Sequence, residues 1–272
     1  MTRAVIIGAG GRMGCALVRA ALEIRGIRIA GAIASHDSSA LGRDAGELAG
    51  VGSIGVAVSA DLPAVLAGAD VVIDFSSARA TAANLAACRA AGKALLIGTT
   101  GYASELVPQL QAAGSNIPLL VAPNTSIGVT LLIELVRQAA ASLPLSFDIE
   151  VVEAHHRMKR DAPSGTALAL GNAAAAARRG SGLARAEIES GRAGGTEIRR
   201  EGDIGFAVVR GGDIVGEHSV LFAGNGERLT LSHSATDRAI FARGALQAAL
   251  WLARQPAGAY SMRDFIAAKS NA

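Results

Sequence analysis

A strand, a glycine turn and a helix, in that order, open this chain and leave it few folds to choose from. Ala4 to Ile7 is a short apolar run, and Gly8-Ala9-Gly10-Gly11-Arg12-Met13-Gly14 follows at once. Beyond the glycines, Met13, Leu17, Ala20, Ala21 and Ile24 recur on one face at helical spacing. In that context a glycine cluster reads as a dinucleotide fingerprint. Glycine permits the tight turn and a close approach of a pyrophosphate, whose charge the helix N-terminus then stabilises. The spacing is a variant, with Gly8, Gly11 and Gly14 every third residue and Gly10 extra.

The alternation continues. Ile27 to Ile33 reads as a strand, residues 42–55 as a glycine-rich loop, and Asp61-Leu62-Pro63 as the start of a short helix, where proline is tolerated. Asp70 to Phe75, Ala94 to Ile97 and Pro118 to Val121 read as strands, with helices over Arg79 to Ala91 and Tyr102 to Ala113 between them. The pattern predicts a doubly wound, Rossmann-like parallel sheet. Ligands of such sheets bind at the carboxyl ends of strands. An NAD enzyme usually places an acidic residue at the end of the second strand for the ribose hydroxyl. Here Ala34-Ser35-His36-Asp37 has no acid at the strand end itself, and Ser35 or His36 could hydrogen-bond a phosphate. NADH and NADPH are therefore both expected to serve as cofactor.

Ser126 to Ala141 reads as a helix crossing into a second domain, and Phe147 to Val152 as the first strand of a new sheet. The stretch Glu153-Ala154-His155-His156-Arg157-Met158-Lys159-Arg160-Asp161-Ala162-Pro163-Ser164-Gly165-Thr166-Ala167 follows. Ala162-Pro163 interrupts regular structure, and Ser164 can cap the helix that starts at Thr166. The N–H groups of Gly165 and Thr166, at the positive helix end, would suit a carboxylate or phosphate. Adjacent histidines on a regular strand point to opposite faces. Either the strand has ended, or one histidine faces a cleft and the other orients it. Histidine suits proton transfer near neutral pH. The spacing of a helical zinc pair is missing, and no metal is expected. The competing reading of the stretch is a solvated basic loop. Of 26 basic residues only Lys93, Lys159 and Lys269 are lysines. A lysine retained at 159 supplies a compact cation whose pKa can move.

Residues 180–204 read as a polar loop in which Arg192, Arg199 and Arg200 face solvent more readily than a substrate. Phe206 to Arg210, Ile214 to Phe222 and Arg228 to Ser234 read as strands, with hairpin signals at Gly211-Gly212 and Asn225-Gly226. Ala235 to Arg254 reads as a long helix. The second domain is thus expected to be α+β with a mixed sheet. At 272 residues two domains fit. A net charge of +3 without a Lys/Arg block argues against nucleic acid as a partner. No apolar run is long enough to span a bilayer, and no signal peptide is read at Met1-Thr2-Arg3. A cytoplasmic protein is expected, with Cys15 and Cys88 as small packing residues in helices.

Glu-Ala-His-His at 153–156, Lys159, and Asp-Ala-Pro-Ser-Gly-Thr-Ala at 161–167 resemble the motif of the dihydrodipicolinate reductase family. Gly-Arg-Met-Gly at 11–14 resembles that family's form of the glycine turn, and the likeness runs over essentially the whole chain. The resemblance implies NAD(P)H-dependent reduction of a small cyclic dicarboxylate, 4-hydroxy-tetrahydrodipicolinate, in lysine and diaminopimelate biosynthesis. It implies His155 as proton donor and acceptor, Lys159 as second donor, and His156, Ser164, Gly165 and Thr166 as substrate contacts; Arg238, at the return to the first domain, reads equally as a contact for a substrate carboxylate or as a surface arginine. For the cofactor it implies Gly8, Ala9, Gly10, Gly11, Arg12 and Met13 at the turn; the family often shows an acidic residue followed by Arg after the second strand, where this chain has Ala34 and Ser35 as the cofactor-facing positions. Gly98, Thr99 and Thr100, with Ala122, Pro123, Asn124 and Thr125, would flank the nicotinamide. The family commonly has an aromatic residue where Thr125 stands. The implied partition is a nucleotide domain, 1–126 plus 237–272, and a substrate-binding and tetramerisation domain, 127–236, hinged at the two crossovers. Another hydride-transferring enzyme of this architecture and a nucleotide-sensing protein without activity are the rival classes.

Overall fold

A computed structural model describes residues 1–180, 188–189 and 198–270. The chain divides into two compact units, Met1–Ile127 with Ala239–Ala272, and Gly128–Arg238.

The first unit begins with β1 (Thr2–Ile7), α1 (Arg12–Glu23) and β2 (Ile27–Ile33). It continues through α2 (Ala45–Ala49), β3 (Val58–Ser59), α3 (Leu62–Leu66), β4 (Val71–Asp74), α4 (Thr81–Ala90) and β5 (Ala94–Ile97). A 3₁₀ turn, Ser104–Leu106, leads into α5 (Val107–Ala113) and β6 (Pro118–Val121). All its strand pairs are parallel, in the order β3-β2-β1-β4-β5-β6 and one further strand described below. The order reverses between β1 and β4, and that switch point is where an open α/β sheet forms its ligand crevice. The strands are apolar on both faces because helices cover both. Ala4 and Ile6 pack into one cluster with Leu17 and Val18 of α1, while Val5 and Ile7 pack into another with Leu85 and Leu110. A fully buried leucine such as Leu17 contributes about 1.5–3 kcal/mol.

The second unit starts within α6 (Ile127–Ser142), then runs through β7 (Asp148–His155), α7 (Gly165–Gly180), β8 (Ile188–Glu189), β9 (Ile204–Arg210), β10 (Gly216–Ala223) and β11 (Arg228–Ala235). Among the described residues the sheet order is β11-β10-β7-β9-β8. β10 is antiparallel to β7 and β11, whereas β9 is parallel to β7 and β8, so the sheet is mixed. Leu132, Val136 and Ala140 of α6 and Leu170 and Ala174 of α7 cover one face, against Ile149, Val151, Phe206, Val220 and Phe222. On the other face Val152 and Val209 are exposed. The chain then completes the first unit with α8 (Ala239–Leu252), β12 (Gly258–Tyr260), which pairs in parallel with β6 as the seventh strand, and α9 (Met262–Ser270).

Several local expectations are corrected. Residues 42–55 contain α2, because the Asp44 carboxylate accepts from the N–H groups of Gly46, Glu47, Ile54 and Val56 and so caps a helix among the glycines. Those bonds hold the Asp44 carboxyl far below the usual range. Asn225-Gly226 closes a true hairpin, with Gly226 at φ 86°. Gly211-Gly212 does not, because β7 lies between β9 and β10. Arg199 does not face solvent: it pairs with Asp148 at 3.0 Å and Glu150 at 3.1 Å. Arg192 lies outside the described residues. Cys15 is half-buried in α1 and Cys88 is buried in α4. Among the described residues no helix is long and apolar enough to cross a membrane, and no cluster of His, Cys, Asp and Glu is placed to hold a metal.

Candidate active site

One cluster of titratable groups in the second unit meets at the carboxyl end of β7. Residues two apart on a strand share a face, so Glu153 and His155 follow Ile149 and Val151 on the side covered by α6 and α7. Strand register supplies the rest. His218 of β10 pairs with Glu153, and Arg210 of β9 pairs with His155. The His155 Nδ1 lies 2.6 Å from Glu153 Oε2. Arg210 donates to both Glu153 oxygens, at 2.7 and 2.8 Å, and also to the Asp161 carbonyl at 2.7 Å. The Ser164 N–H donates to Glu153 Oε1 at 3.0 Å. One buried carboxylate therefore joins two strands to the start of α7.

Ser164 is the helix cap, its Oγ accepting from the Ala167 N–H at 3.1 Å and lying 3.1 Å from His218 Nε2. Gly165, at the tip of α7, is exposed, with open space where a side chain would stand. The strand ends at His155, which is buried; His156, half-buried, begins a turn closed by the Lys159 N–H on its carbonyl at 3.1 Å. The Lys159 Nζ bonds both oxygens of Asp161 at 2.8 Å. Arg238, at the end of this unit, is exposed.

Charge and burial oppose one another here. Burial would push the Glu153 carboxyl up, but hydrogen bonds from Arg210, His155 and Ser164 hold it at about 2. Burial pushes the His155 imidazolium below its usual range; Glu153 pulls it up, and the charges of Lys159 and Arg210 push it further down. Burial, then the neighbouring His155, takes His218 down to about 4. The rings of His155 and His218 meet edge to face with centroids 5.0 Å apart.

In the first unit the glycine turn lies at the carboxyl end of β1. Gly8 has φ 86°, and a Cβ there would fall 2.4 Å from the Phe75 carbonyl; one at Gly14 would fall 2.2 Å from the Gly8 carbonyl. Gly11 precedes α1 in extended conformation and no side chain caps that helix. An uncapped helix N-terminus behind a glycine-rich turn fits a dinucleotide pyrophosphate. Arg12 is exposed and Met13 half-buried beside the turn, and Ala34 and Ser35 follow β2. The Asp37 carboxyl lies below its ordinary range through the Ser35 hydroxyl and its own backbone. Gly98, Thr99 and Thr100 follow β5, and Ala122, Pro123 and Asn124 follow β6. The Thr99 hydroxyl is taken up by the buried Asp74 at 3.1 Å. Thr125 turns inward, its hydroxyl donating to the Phe241 carbonyl of α8 at 2.7 Å.

Sequence reasoning assigned no role to Glu153, Arg210 or His218. Glu153 stands inside the quoted motif, and its place two residues before His155 on a strand was the available signal. Arg210 and His218 lie more than fifty positions away in sequence and arrive only through strand register.

A doubly wound nucleotide-binding unit interrupted by a mixed-sheet unit that carries a buried His–Glu–Arg cluster defines a class, the two-unit nicotinamide-dependent oxidoreductases. The family description "dihydrodipicolinate reductase, N-terminus" matches residues 2–125, and "dihydrodipicolinate reductase, C-terminus" matches residues 128–266. A 4-hydroxy-tetrahydrodipicolinate reductase of Anaeromyxobacter dehalogenans is 47% identical over 269 residues, covering 98% of each chain. One from Rhodopseudomonas palustris is 50% identical over 264 residues, covering 97% of each. A dipicolinate-bound dihydrodipicolinate reductase from Paenisporosarcina shares the fold at a TM-score of 0.77 and 24% identity, over 96% of this chain and 97% of that one. The chain belongs to the dihydrodipicolinate reductase family.

Proposed function

We propose that this chain reduces 4-hydroxy-tetrahydrodipicolinate to tetrahydrodipicolinate, with loss of water, using NADH or NADPH, in diaminopimelate and lysine biosynthesis. The observation that carries the reading is one buried carboxylate, Glu153, tied at once to His155, Arg210 and the capped start of α7. A reduced nicotinamide supplies the hydride when bound. The backbone from Gly8 to Met13 would hold the pyrophosphate, Ala34 and Ser35 the ribose, and the loops Gly98 to Thr100 and Ala122 to Thr125 the nicotinamide side. The end of β2, without an acid at the strand terminus, suits either dinucleotide.

The remaining chemistry falls to the second unit. Ser164, Gly165 and Thr166 would grip one substrate carboxylate at the helix start, with His156 and Arg238 as further contacts. His155 would exchange a proton at Nε2 while its Nδ1–H stays on Glu153, and Lys159 would serve as a second donor. Lys159 and Arg210 disfavour the imidazolium in the free protein. A bound dianion offsets both charges, so substrate binding and His155 protonation favour one another. The two units would divide the work as a nucleotide domain, 1–126 plus 237–272, and a substrate and tetramer domain, 127–236. The sheet face that exposes Val152 and Val209 would be the surface for tetramer contacts, and the cytoplasm is the expected compartment.

The test is reductase turnover, followed by the near-ultraviolet absorbance of NADH or NADPH, with substrate generated in place from pyruvate and aspartate semialdehyde. The parent should consume cofactor only when both precursors and their condensing enzyme are present. His155→Ala should lower kcat by roughly 10²–10⁴-fold, the usual worth of a positioned acid. Lys159→Ala should do similarly and raise KM. No substrate-dependent consumption by the parent would overturn the reading.

A further inference from the structure

The geometry points to Glu153, clamped by Arg210, as the positioning residue that fixes the His155 ring and presents its Nε2 to substrate. The inference deepens the proposed function and rests on the role given there to His155.

Four hydrogen bonds converge on Glu153, two to each oxygen. Oε2 receives His155 Nδ1 at 2.6 Å and one Arg210 nitrogen at 2.7 Å; Oε1 receives the other at 2.8 Å and the Ser164 N–H at 3.0 Å. The carboxylate side chain is wholly buried, so none of these bonds competes with water. A carboxylate so held cannot rotate, and it accepts only from an Nδ1–H. That fixes the tautomer, leaving Nε2 as the atom that gains and loses the proton. Among the described residues Nε2 has no hydrogen-bond partner, and the His155 side chain keeps 11% exposure. Opposite it stands Gly216, where any Cβ would come within 3.0 Å of Nε2. The ring is thus tied at Nδ1 and unbonded at Nε2.

The groups that face the ring come from every neighbouring element. Glu153 lies on the same strand, Arg210 on β9 and His218 on β10, with His233 of β11 paired across from His218. Lys159, bonded to Asp161, lies on the following loop. Of these, Glu153 favours the imidazolium while Arg210 and Lys159 oppose it. Glu153→Gln and Arg210→Gln should therefore move the proton of His155 in opposite directions, which a merely structural bracing would not do.

The experiment is the pH profile of kcat/KM for the full-length enzyme and its variants, with folding checked by circular dichroism. Glu153→Gln should lower kcat at least ~10²-fold; the comparable carboxylate-to-amide change behind the histidine of a serine protease costs about 10⁴. Its high-pH limb should move to lower pH, and that of Arg210→Gln to higher pH. In His155→Ala the added Glu153→Gln should cost little more, because groups acting as a unit are not additive. Should Glu153→Gln fail to fold, the Arg210→Gln limb and its loss on the His155→Ala background decide the matter in the same way. Unmoved limbs, or a full further loss on the His155→Ala background, would overturn the positioning role alone. A His155→Ala enzyme with unchanged turnover would instead overturn the reading beneath it.

Discussion

Asp74 and Glu153 are both wholly buried carboxylates at or near the carboxyl end of a strand, one in each unit, yet they are satisfied by different chemistry. Asp74, at the switch-point strand β4, accepts from neutral groups: the Ser76 N–H and hydroxyl at 2.9 and 2.6 Å, Thr99 at 3.1 Å and the Asn84 amide at 2.9 Å. Glu153 accepts from a guanidinium, an imidazole and a backbone N–H. The first arrangement ties down the loops after β4 and β5, and nothing bonded to it changes charge near neutral pH. The second couples its carboxylate to His155, a side chain that can gain and lose a proton. The nucleotide unit thus needs a rigid frame, and the inserted unit a frame that also passes on electrostatic information.

The largest test of this contrast is removal of each carboxylate. Glu153→Ala leaves Arg210 without its anion, and breaking a buried pair costs about 3–5 kcal/mol. Asp74→Ala orphans only neutral donors, two of which are hydroxyls free to rotate, at about 1–3 kcal/mol. Urea unfolding near neutral pH should rank them in that order. The pH dependence follows from the depressed Glu153 carboxyl. Its contribution is complete above its ordinary value of 4.5 and is lost as pH falls through about 2. The deficit of Glu153→Ala should therefore shrink toward about pH 3. Equal losses in the two variants would break the comparison.

His218 provides a smaller test on the same side of it. The folded protein binds its proton only near pH 4, against an ordinary 6.5. Above 6.5 both states are neutral and His218 contributes no slope. Between those values the unfolded chain takes up a proton that the folded chain refuses, so stability falls as pH drops. In His218→Gln, urea midpoints compared at about pH 7 and about pH 5 should show a shallower fall, by up to one proton's worth. An unchanged slope would place the acid sensitivity elsewhere, on His155 or His233.

The two units also differ in how far their sequence could be read. β2, β5 and β6 have the predicted limits because each is a mostly apolar run that packs into the core and ends at a loop of small residues. β3 and β12, of two and three residues, carry too little pattern to separate from loop. α2 was hidden because one aspartate, Asp44, outweighs the glycines around it. In the inserted unit, alternation along β7 places Glu153 and His155 on one face. It does not say which strands flank β7. Gly211-Gly212 suggested that β9 and β10 pair, and their separation by β7 is what brings Arg210 and His218 to opposite sides of it. Local residue types foretold the Ser164 cap and the bare helix tip at Gly165. The clamp around them depends on long-range register, which no local pattern encodes.

The smallest predicted effect isolates the clamp from the charges. Gly216→Ala adds one methyl group, 3.0 Å from His155 Nε2 and 3.3 Å from Cδ2, with no change in ionisation. A contact that tight requires the ring to give by a few tenths of an ångström. A ring free to swing would move aside at no cost to rate. A ring held by Glu153 at 2.6 Å has to strain that bond or stay crowded. Misplacement by a full ångström costs about 10²-fold, so a shift of this size should lower kcat by about 3- to 10-fold while leaving the high-pH limb in place. In a Glu153→Gln background the same methyl group should cost less, because the ring is no longer pinned. A Gly216→Ala enzyme with parental kcat would mean that the carboxylate sets the charge of His155 without fixing its position.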